Sequence, residues 1–311
     1  MELNNIKLDW NIILEPYISY LEKEYKSTSV REKMQPIIGR LMENRIKSRV
    51  VISGGKVACY GFFMEPEMFS DRVYGNIGFV SAETWSVQRL DTVLSWIVTE
   101  SEHMGKIPFI QDIFNRGPEA DDFLGSKGFR KLERVKMELD LGTFNQIPKE
   151  IAGDFIFSGL EDIDITEFSD AEYLSYRDTP DSVMFGTRRD ERLKLTGALF
   201  TEDLYGKVDY SSSLLCRKGG DLAGAIVVAE SSDEAGKTGG FILTIFVKPN
   251  YRKTGLGKAL LLKSLNEMKQ SGKNSAILWV TESNEAKVMY ENVGFRKSET
   301  MKEVLYFKNV V

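Results

Sequence analysis

The pattern Gly-Phe-Arg-Lys-x-Glu-x-x-Lys occurs twice in this chain, from Gly128 to Lys136 and from Gly294 to Lys302, an offset of 166 residues. A second pair, Gly54-Gly55-Lys56-Val57-Ala58 and Gly219-Gly220-Asp221-Leu222-Ala223, keeps an offset of 165. Two unrelated hairpin turns would explain the Gly-Gly pairs alone, because glycine supplies the positive φ such turns need. They would not explain a register shared across most of each half. A period this long marks a duplicated domain rather than a solenoid of short repeats. At 311 residues the chain is also too long for one core of ordinary size. The expectation is two tandem domains, 1–145 and 150–311, divided between Gly142 and Gly153.

Each half begins its repeat with a hairpin, Arg49 to Ser53 with Lys56 to Met64, and Ser213 to Lys218 with Asp221 to Glu230. In the second half a nearly continuous apolar run, Gly240 to Val247, predicts a strand buried on both faces and ended by Pro249. Leu256, Leu260, Leu261, Leu265 and Met268 recur at helical spacing, and Gly272 punctuates the end. Ser275 to Val280 reads as a strand, 284 to 292 as a helix stopped by Gly294, and Phe295 to Phe307 as a final strand. Such alternation predicts an α/β (α+β) layer fold. Its mixed, mainly antiparallel sheet would be flanked by helices, with a right-handed parallel crossover at the centre.

Composition removes several classes of function. A net charge of −5 and a pI near 5.3 argue against a broad phosphate-binding surface, so no nucleic-acid partner is expected. No apolar run approaches the length of a membrane span, and Met1 to Trp10 does not build a signal-peptide core, so a cytoplasmic protein without a membrane partner is expected. Cys59 and Cys216 each sit in an apolar strand-like run and read as core residues. The single histidine, His103, has no partner with ligand spacing, which argues against a His-based metal site or a Ser-His-Asp triad. No metal is expected.

The chemistry concentrates in Arg252-Lys253-Thr254-Gly255-Leu256-Gly257, between the buried strand and the amphipathic helix. A helix starting there aims unpaired N–H groups and its positive dipole end outward. Gly255 and Gly257 let the backbone approach a diphosphate, and Arg252, Lys253 and Lys258 add positive charge. A dinucleotide fingerprint would need glycine where Leu260 stands, and a P-loop would need Gly-Lys-Ser/Thr.

The stretch Val247-Lys248-Pro249-Asn250-Tyr251-Arg252-Lys253-Thr254-Gly255-Leu256-Gly257 resembles the GNAT N-acetyltransferase superfamily. Its signature is Gln/Arg-x-x-Gly-x-Gly/Ala after a strand ending in Val-x-Pro. A second match, Ala286-x-x-x-Tyr290-x-x-x-Gly294-Phe295, resembles the family's helix bearing a tyrosine beside the coenzyme sulfur. The resemblance covers roughly Asp154 to Lys308. It implies two tandem GNAT-like domains, with acetyl-CoA as co-substrate and its pyrophosphate on the amides from Lys253 to Lys258, through Thr254, Gly255, Leu256 and Gly257. It also implies a splayed strand end at Ile245, Phe246 and Val247 that orients the thioester, and Tyr290 as general acid to the leaving thiolate. Asn284 is either a coenzyme contact or a helix N-cap.

The aligned segment of the first half, Ser81 to Asp91, has no glycine, and Leu124 stands at the tyrosine position. A degenerate domain without a coenzyme loop is expected there. Glu230, at a strand end, and Glu282, beside the tyrosine helix, are candidate general bases, with a water chain as the alternative. Arg188, Arg189 and Arg192 with Tyr205 lie before the second hairpin. They read as a solvated helix face, or as a surface greeting an acidic substrate. The expected activity is acetyl transfer to a small-molecule or peptide amine. The alternatives are a non-catalytic acyl-CoA sensor, a tandem-GNAT ligase resembling mycothiol synthase, and an aminoacyl-transferring relative using charged tRNA, which the acidic balance disfavours. A monomer with pseudo-dimeric domains is expected.

Overall fold

Both glycine pairs turn as their spacing predicts. Gly54 and Gly55 have φ of 57° and 76°, and Gly219 and Gly220 have 58° and 85°, the doubly positive combination that matches a two-residue turn to strand twist. The computed structural model describes residues 8–25, 29–161, 163–185, 188–203, 205–232 and 236–308. Of the start read as lacking a signal-peptide core, residues 1–7 lie outside the described residues.

In chain order the elements are α1 (Trp10–Tyr25), α2 (Ser29–Met42), β1 (Ser48–Ser53), β2 (Lys56–Met64), β3 (Arg72–Phe79), α3 (Val87–His103), β4 (Ile107–Gln111), α4 (Ala120–Ser126) and β5 (Phe129–Asp140). There follow β6 (Phe155–Ser158), α5 (Ile165–Tyr176), a 3-10 turn over Pro180–Met184, α6 (Arg189–Thr201), β7 (Leu214–Lys218), β8 (Asp221–Ser232) and β9 (Thr238–Val247). The last are α7 (Leu256–Gln270), β10 (Ser275–Thr281), α8 (Ala286–Val293) and β11 (Arg296–Lys308). The fold is mixed α/β. No described helix is long and apolar enough to cross a membrane, and the described residues hold no group of three or more His, Cys, Asp or Glu able to ligate a metal.

The chain divides into two compact units, Met1–Glu133 with Thr300–Val311, and Arg134–Glu299. In the first, β1, β2 and β3 are antiparallel neighbours, α3 carries the crossover to a parallel β4, and Leu305–Phe307 of β11 pair antiparallel to β4. In the second, β6 to β9 are antiparallel neighbours, α7 carries the crossover to a parallel β10, and Arg134–Asp140 of β5 pair with β10. The two hairpins even share an irregularity at matching places, Val51/Ile52 and Cys216/Arg217. Compactness therefore does not follow the contiguous ranges 1–145 and 150–311, because the closing strand of each repeat ends in the other unit's sheet. Val135, Met137 and Leu139 alternate into the second core, while Tyr306 enters the first. A strand's pairing partner supplies its burial, and neither closing strand is buried by its own repeat alone.

In the first unit the Tyr306 hydroxyl donates to Asp121 (2.6 Å), which also receives Lys131 (3.0 Å) and pairs with Arg116. Burial alone would raise this carboxyl. The bonds from Tyr306, Lys131 and Arg116 more than offset it and hold the pKa at about 2, below the usual 3.8. A folded pKa below the unfolded one gives stabilisation that is complete above the unfolded value and is lost as pH falls from 3.8 towards 2. Asp121→Asn is therefore expected to lower the melting temperature at neutral pH, with variant and native curves converging in acid. Thermal unfolding across that range checks it, and a constant difference would contradict it.

Candidate active site at the diverging strands

The parallel ladder between β9 and β10 runs only from Gly239↔Ser275 to Phe241↔Ile277. Beyond it, β9 stays paired with β8 as far as Val247, and β10 stays paired with β5 as far as Thr281. The two central strands therefore part, and an irregularity at Val227/Val228 in the β8 ladder lies beside the parting. Lys248 N–H bonds across to Ala223, so alternate residues Ile245 and Val247 turn their backbone groups away from β8. Tyr176 OH donates to the Ile245 carbonyl (3.0 Å) and Arg252 Nε to that of Val247 (3.4 Å). A residue's N–H leaves a strand on the same side as its C=O, so the amides of Ile245 and Val247 face the gap. Phe246 is different: its backbone pairs with Ala225 and its ring is buried against Phe168.

The chain then turns through Lys253, at φ 62°, and Gly255, at φ 88°, into α7. Gly255 is the N-cap residue, no side chain caps the helix, and its first turn holds no acid. The first amides of α7 are thus offered outward, as an anion requires. The α3 helix of the first unit differs, since Ser86 accepts from Arg89 N–H and caps it.

Gly255 needs glycine for its backbone. Gly257 has no such need: a Cβ there would meet only Val247 Cγ2 at 3.6 Å and Met289 Sδ at 3.8 Å, ordinary contacts. Glycine in a helix costs about 1 kcal/mol against alanine. The fold gains nothing from it, which fits a backbone surface that a ligand approaches closely.

Of the other loop residues, Leu256 is buried in the core, and Thr254 donates to the Tyr251 carbonyl (2.7 Å). Lys253 and Lys258 are exposed. Arg252 differs from the expectation of a phosphate contact: its guanidinium donates to the Ser175 carbonyl at the end of α5, besides Val247. It joins the loop to α5.

Tyr290 lies on α8, 6% exposed, with its ring edge-on to Phe295 at 6.0 Å. Burial, then the nearby Tyr176 phenol and Asp181 carboxylate, push its pKa far above 10. It keeps its proton and can act as a donor. Asn284 is engaged at both ends of its amide, donating to Asp181 and accepting from Ala286 N–H (2.9 Å). The N-cap residue of α8 is Glu285, so Asn284 stands one place before the cap and reaches forward to the first helical amide.

Neither glutamate offered as a base is placed to serve. Glu230 pairs with Gly240, five residues before Ile245, or roughly 16 Å along a strand. Glu282 is held by Lys287 (2.5 Å) and Lys297 (2.7 Å), which lower its pKa in that order. The arginine cluster also dissolves: Arg188 pairs with Asp190, Arg189 with Asp170, and Arg192 is buried on Glu172 (2.7 Å).

Buried polar residues around the gap went unread in the sequence. Glu172 accepts from Thr244 Oγ1 (2.6 Å) and Thr196 Oγ1 (3.2 Å), and Tyr176 touches both Ile245 and Thr244. Asp181 accepts from Thr281 and Asn284. One signal was available: Glu172 shares a helix face with Phe168, Ala171 and Ser175, all buried, and an acid on a core stripe needs partners.

Comparison with known proteins gives this arrangement a context. The pattern of the family described as Acetyltransferase (GNAT) family matches residues 168–295. The [ribosomal protein bS18]-alanine N-acetyltransferase of Haemophilus influenzae is 36% identical over 61 residues, 20% of this chain and 42% of that protein, so the match spans less than half of the relative's length. A GCN5-related N-acetyltransferase from Sphaerobacter thermophilus superposes with a TM-score of 0.60 at 15% identity, over 98% of this chain and 93% of that one. A GCN5-related glucosamine N-acetyltransferase region of a fungal multi-domain beta-N-acetylglucosaminidase gives 0.56 at 14%, over 94% of this chain and 37% of that one. At such identities the superpositions establish shared fold.

Proposed function

We propose that the second unit, whose residues 168–295 match the acetyltransferase (GNAT) family pattern, transfers an acetyl group from acetyl-CoA to a primary amine. The observation that carries this is a single juxtaposition: an uncapped, acid-free helix start follows directly on a strand whose end parts from its parallel neighbour. When bound, acetyl-CoA supplies an activated thioester. The amides of Gly255, Leu256, Gly257 and Lys258 hold its diphosphate, with Lys253 and Lys258 supplying charge. The outward amides of Ile245 and Val247 orient the acyl portion, and Phe246 serves as core packing beneath them.

The amine nitrogen forms the new C–N bond as the C–S bond breaks, and Tyr290 donates its phenolic proton to the departing sulfur. The proton lost by the amine goes to water, since Glu230 is remote and Glu282 is neutralised by lysines. Tyr290 is reprotonated from solvent. No metal has a role in this scheme.

The first unit is proposed to take no coenzyme. Its β3 and β4 pair from Arg72↔Ile107 to Gly75↔Ile110, and Phe114 beyond β4 bridges back to Gly78. Ser86 caps α3, and Leu124 stands where the second unit has its tyrosine.

The names of the similar proteins choose the acceptors to test. Incubating the full chain with acetyl-CoA and peptides beginning with alanine, amino sugars and simple amines, while following free thiol, should show amine-dependent release with at least one class. Coenzyme binding with no release across all three would sink the transferase reading and leave a sensor.

A further inference from the structure

A parallel ladder that stops leaves N–H and C=O groups on both strands without partners, and burial makes such groups costly. A gap of this kind persists only where something takes up those groups and holds the strands apart. In the first unit the ladder of β3 with β4 ends at Gly75↔Ile110, and the chain beyond it returns to β3 at the isolated bridge of Phe114 with Gly78, where Phe114 N–H donates to the Ile77 carbonyl and Phe79 N–H to that of Phe114. In the second, β9 and β10 part after Phe241 and Ile277.

Two threonines stand in the parted stretch, Thr244 three residues past the last pair on β9 and Thr281 four residues past it on β10. Both are buried. Each gives its hydroxyl proton to a buried carboxylate, Thr244 to Glu172 and Thr281 to Asp181. The two acids belong to one short stretch of chain, the end of α5 and the Pro180–Met184 turn. Between them, Tyr176 occupies the edge carbonyl of Ile245. The stretch is itself fixed: Glu172 pairs with Arg192, which donates to the Phe185 carbonyl (3.1 Å) and lies over the Phe185 ring at 4.4 Å. Arg134 Nε stands 3.9 Å from Asp181.

We propose that residues 172–184 form a wedge, with Glu172 and Asp181 as positioning residues. Through Thr244 and Thr281 they set the separation of β9 and β10 that the acyl group requires. Glu172 and Asp181 act on the gap through the two threonines, while the tie of this stretch to the diphosphate loop is a separate one, from Arg252 to the Ser175 carbonyl. The wedge's catalytic consequence rests on the acetyltransferase reading above, whereas its mechanical consequence does not.

The test compares Thr244→Val and Thr281→Val, which remove one hydroxyl each at nearly constant volume, with Thr244→Ser and Thr281→Ser, which retain it. Backbone hydrogen exchange of the full chain, without coenzyme, reads the gap directly. In the double valine variant, amides of 242–247 and 278–281 should exchange about tenfold faster while those of α7 stay unchanged. With acetyl-CoA and a working amine, each valine variant should lose on the order of 10- to 100-fold in kcat. CoA affinity should hold within about threefold, and each serine variant should recover most of the rate. Unchanged exchange at both strand ends would overturn the wedge whatever the turnover. So would parallel loss of rate and CoA affinity, or failure of serine to rescue. A native protein without turnover, but with the predicted exchange difference, would remove the transferase reading and leave the wedge standing.

Discussion

Tyr290→Phe is expected to lower acyl transfer by on the order of 10²- to 10⁴-fold, the usual contribution of a positioned acid. CoA affinity should stay within about threefold, because the change removes one oxygen from a ring that otherwise keeps its packing. The pH dependence separates this from general damage. Burial holds the phenol far above its ordinary 10, so Tyr290 does not titrate in the working range. The rate profile of the variant should therefore be displaced downward without movement of its alkaline limb. An alkaline limb that disappears with the hydroxyl would mean that Tyr290 titrates at accessible pH, against its burial. An unchanged rate would remove it from the reaction.

The second large effect has opposite signs on stability and binding. Gly257→Ala places a methyl where the protein offers only ordinary contacts with Val247 and Met289. Helix propensity should then raise stability by about 1 kcal/mol. If a diphosphate approaches this backbone, the same methyl stands in its way, and coenzyme affinity should fall by roughly tenfold or more, about 1.4 kcal/mol. Thermal unfolding with and without CoA reads both. A variant that is more stable and binds as well as native would show that no ligand touches this turn.

These residues were legible because their signals are local. The φ of Gly255, the apolar stripe of α7 and the Tyr290 helix depend on neighbours a few positions away, so spacing alone exposes them. The hairpins were legible for the same reason. Strand exchange was not, since alternation shows that Val135, Met137 and Leu139 need a core without showing which core. Arg192 and Glu172 were misread or passed over because each looks like surface by type. Only the fold shows them closing on one another, 2.7 Å apart, with Thr244 of β9 donating to Glu172. Glu230 failed for a related reason: standing at a strand end is a local fact, and which end of the sheet carries the gap is a tertiary one.

The first unit repeats the order of elements and even the hairpin irregularity of the second, yet bridges the end of its β3 through Phe114 and caps its crossover helix. The duplicated architecture is thus separable from the site it supports. Asymmetry between the copies is the central claim, and counting coenzyme sites tests it most directly. Titration calorimetry of the full chain with CoA should give one site per chain, weakened by Gly257→Ala and untouched by substitutions in the turn from Ser81 to Ser86. Two sites per chain, or no binding at all, would contradict it.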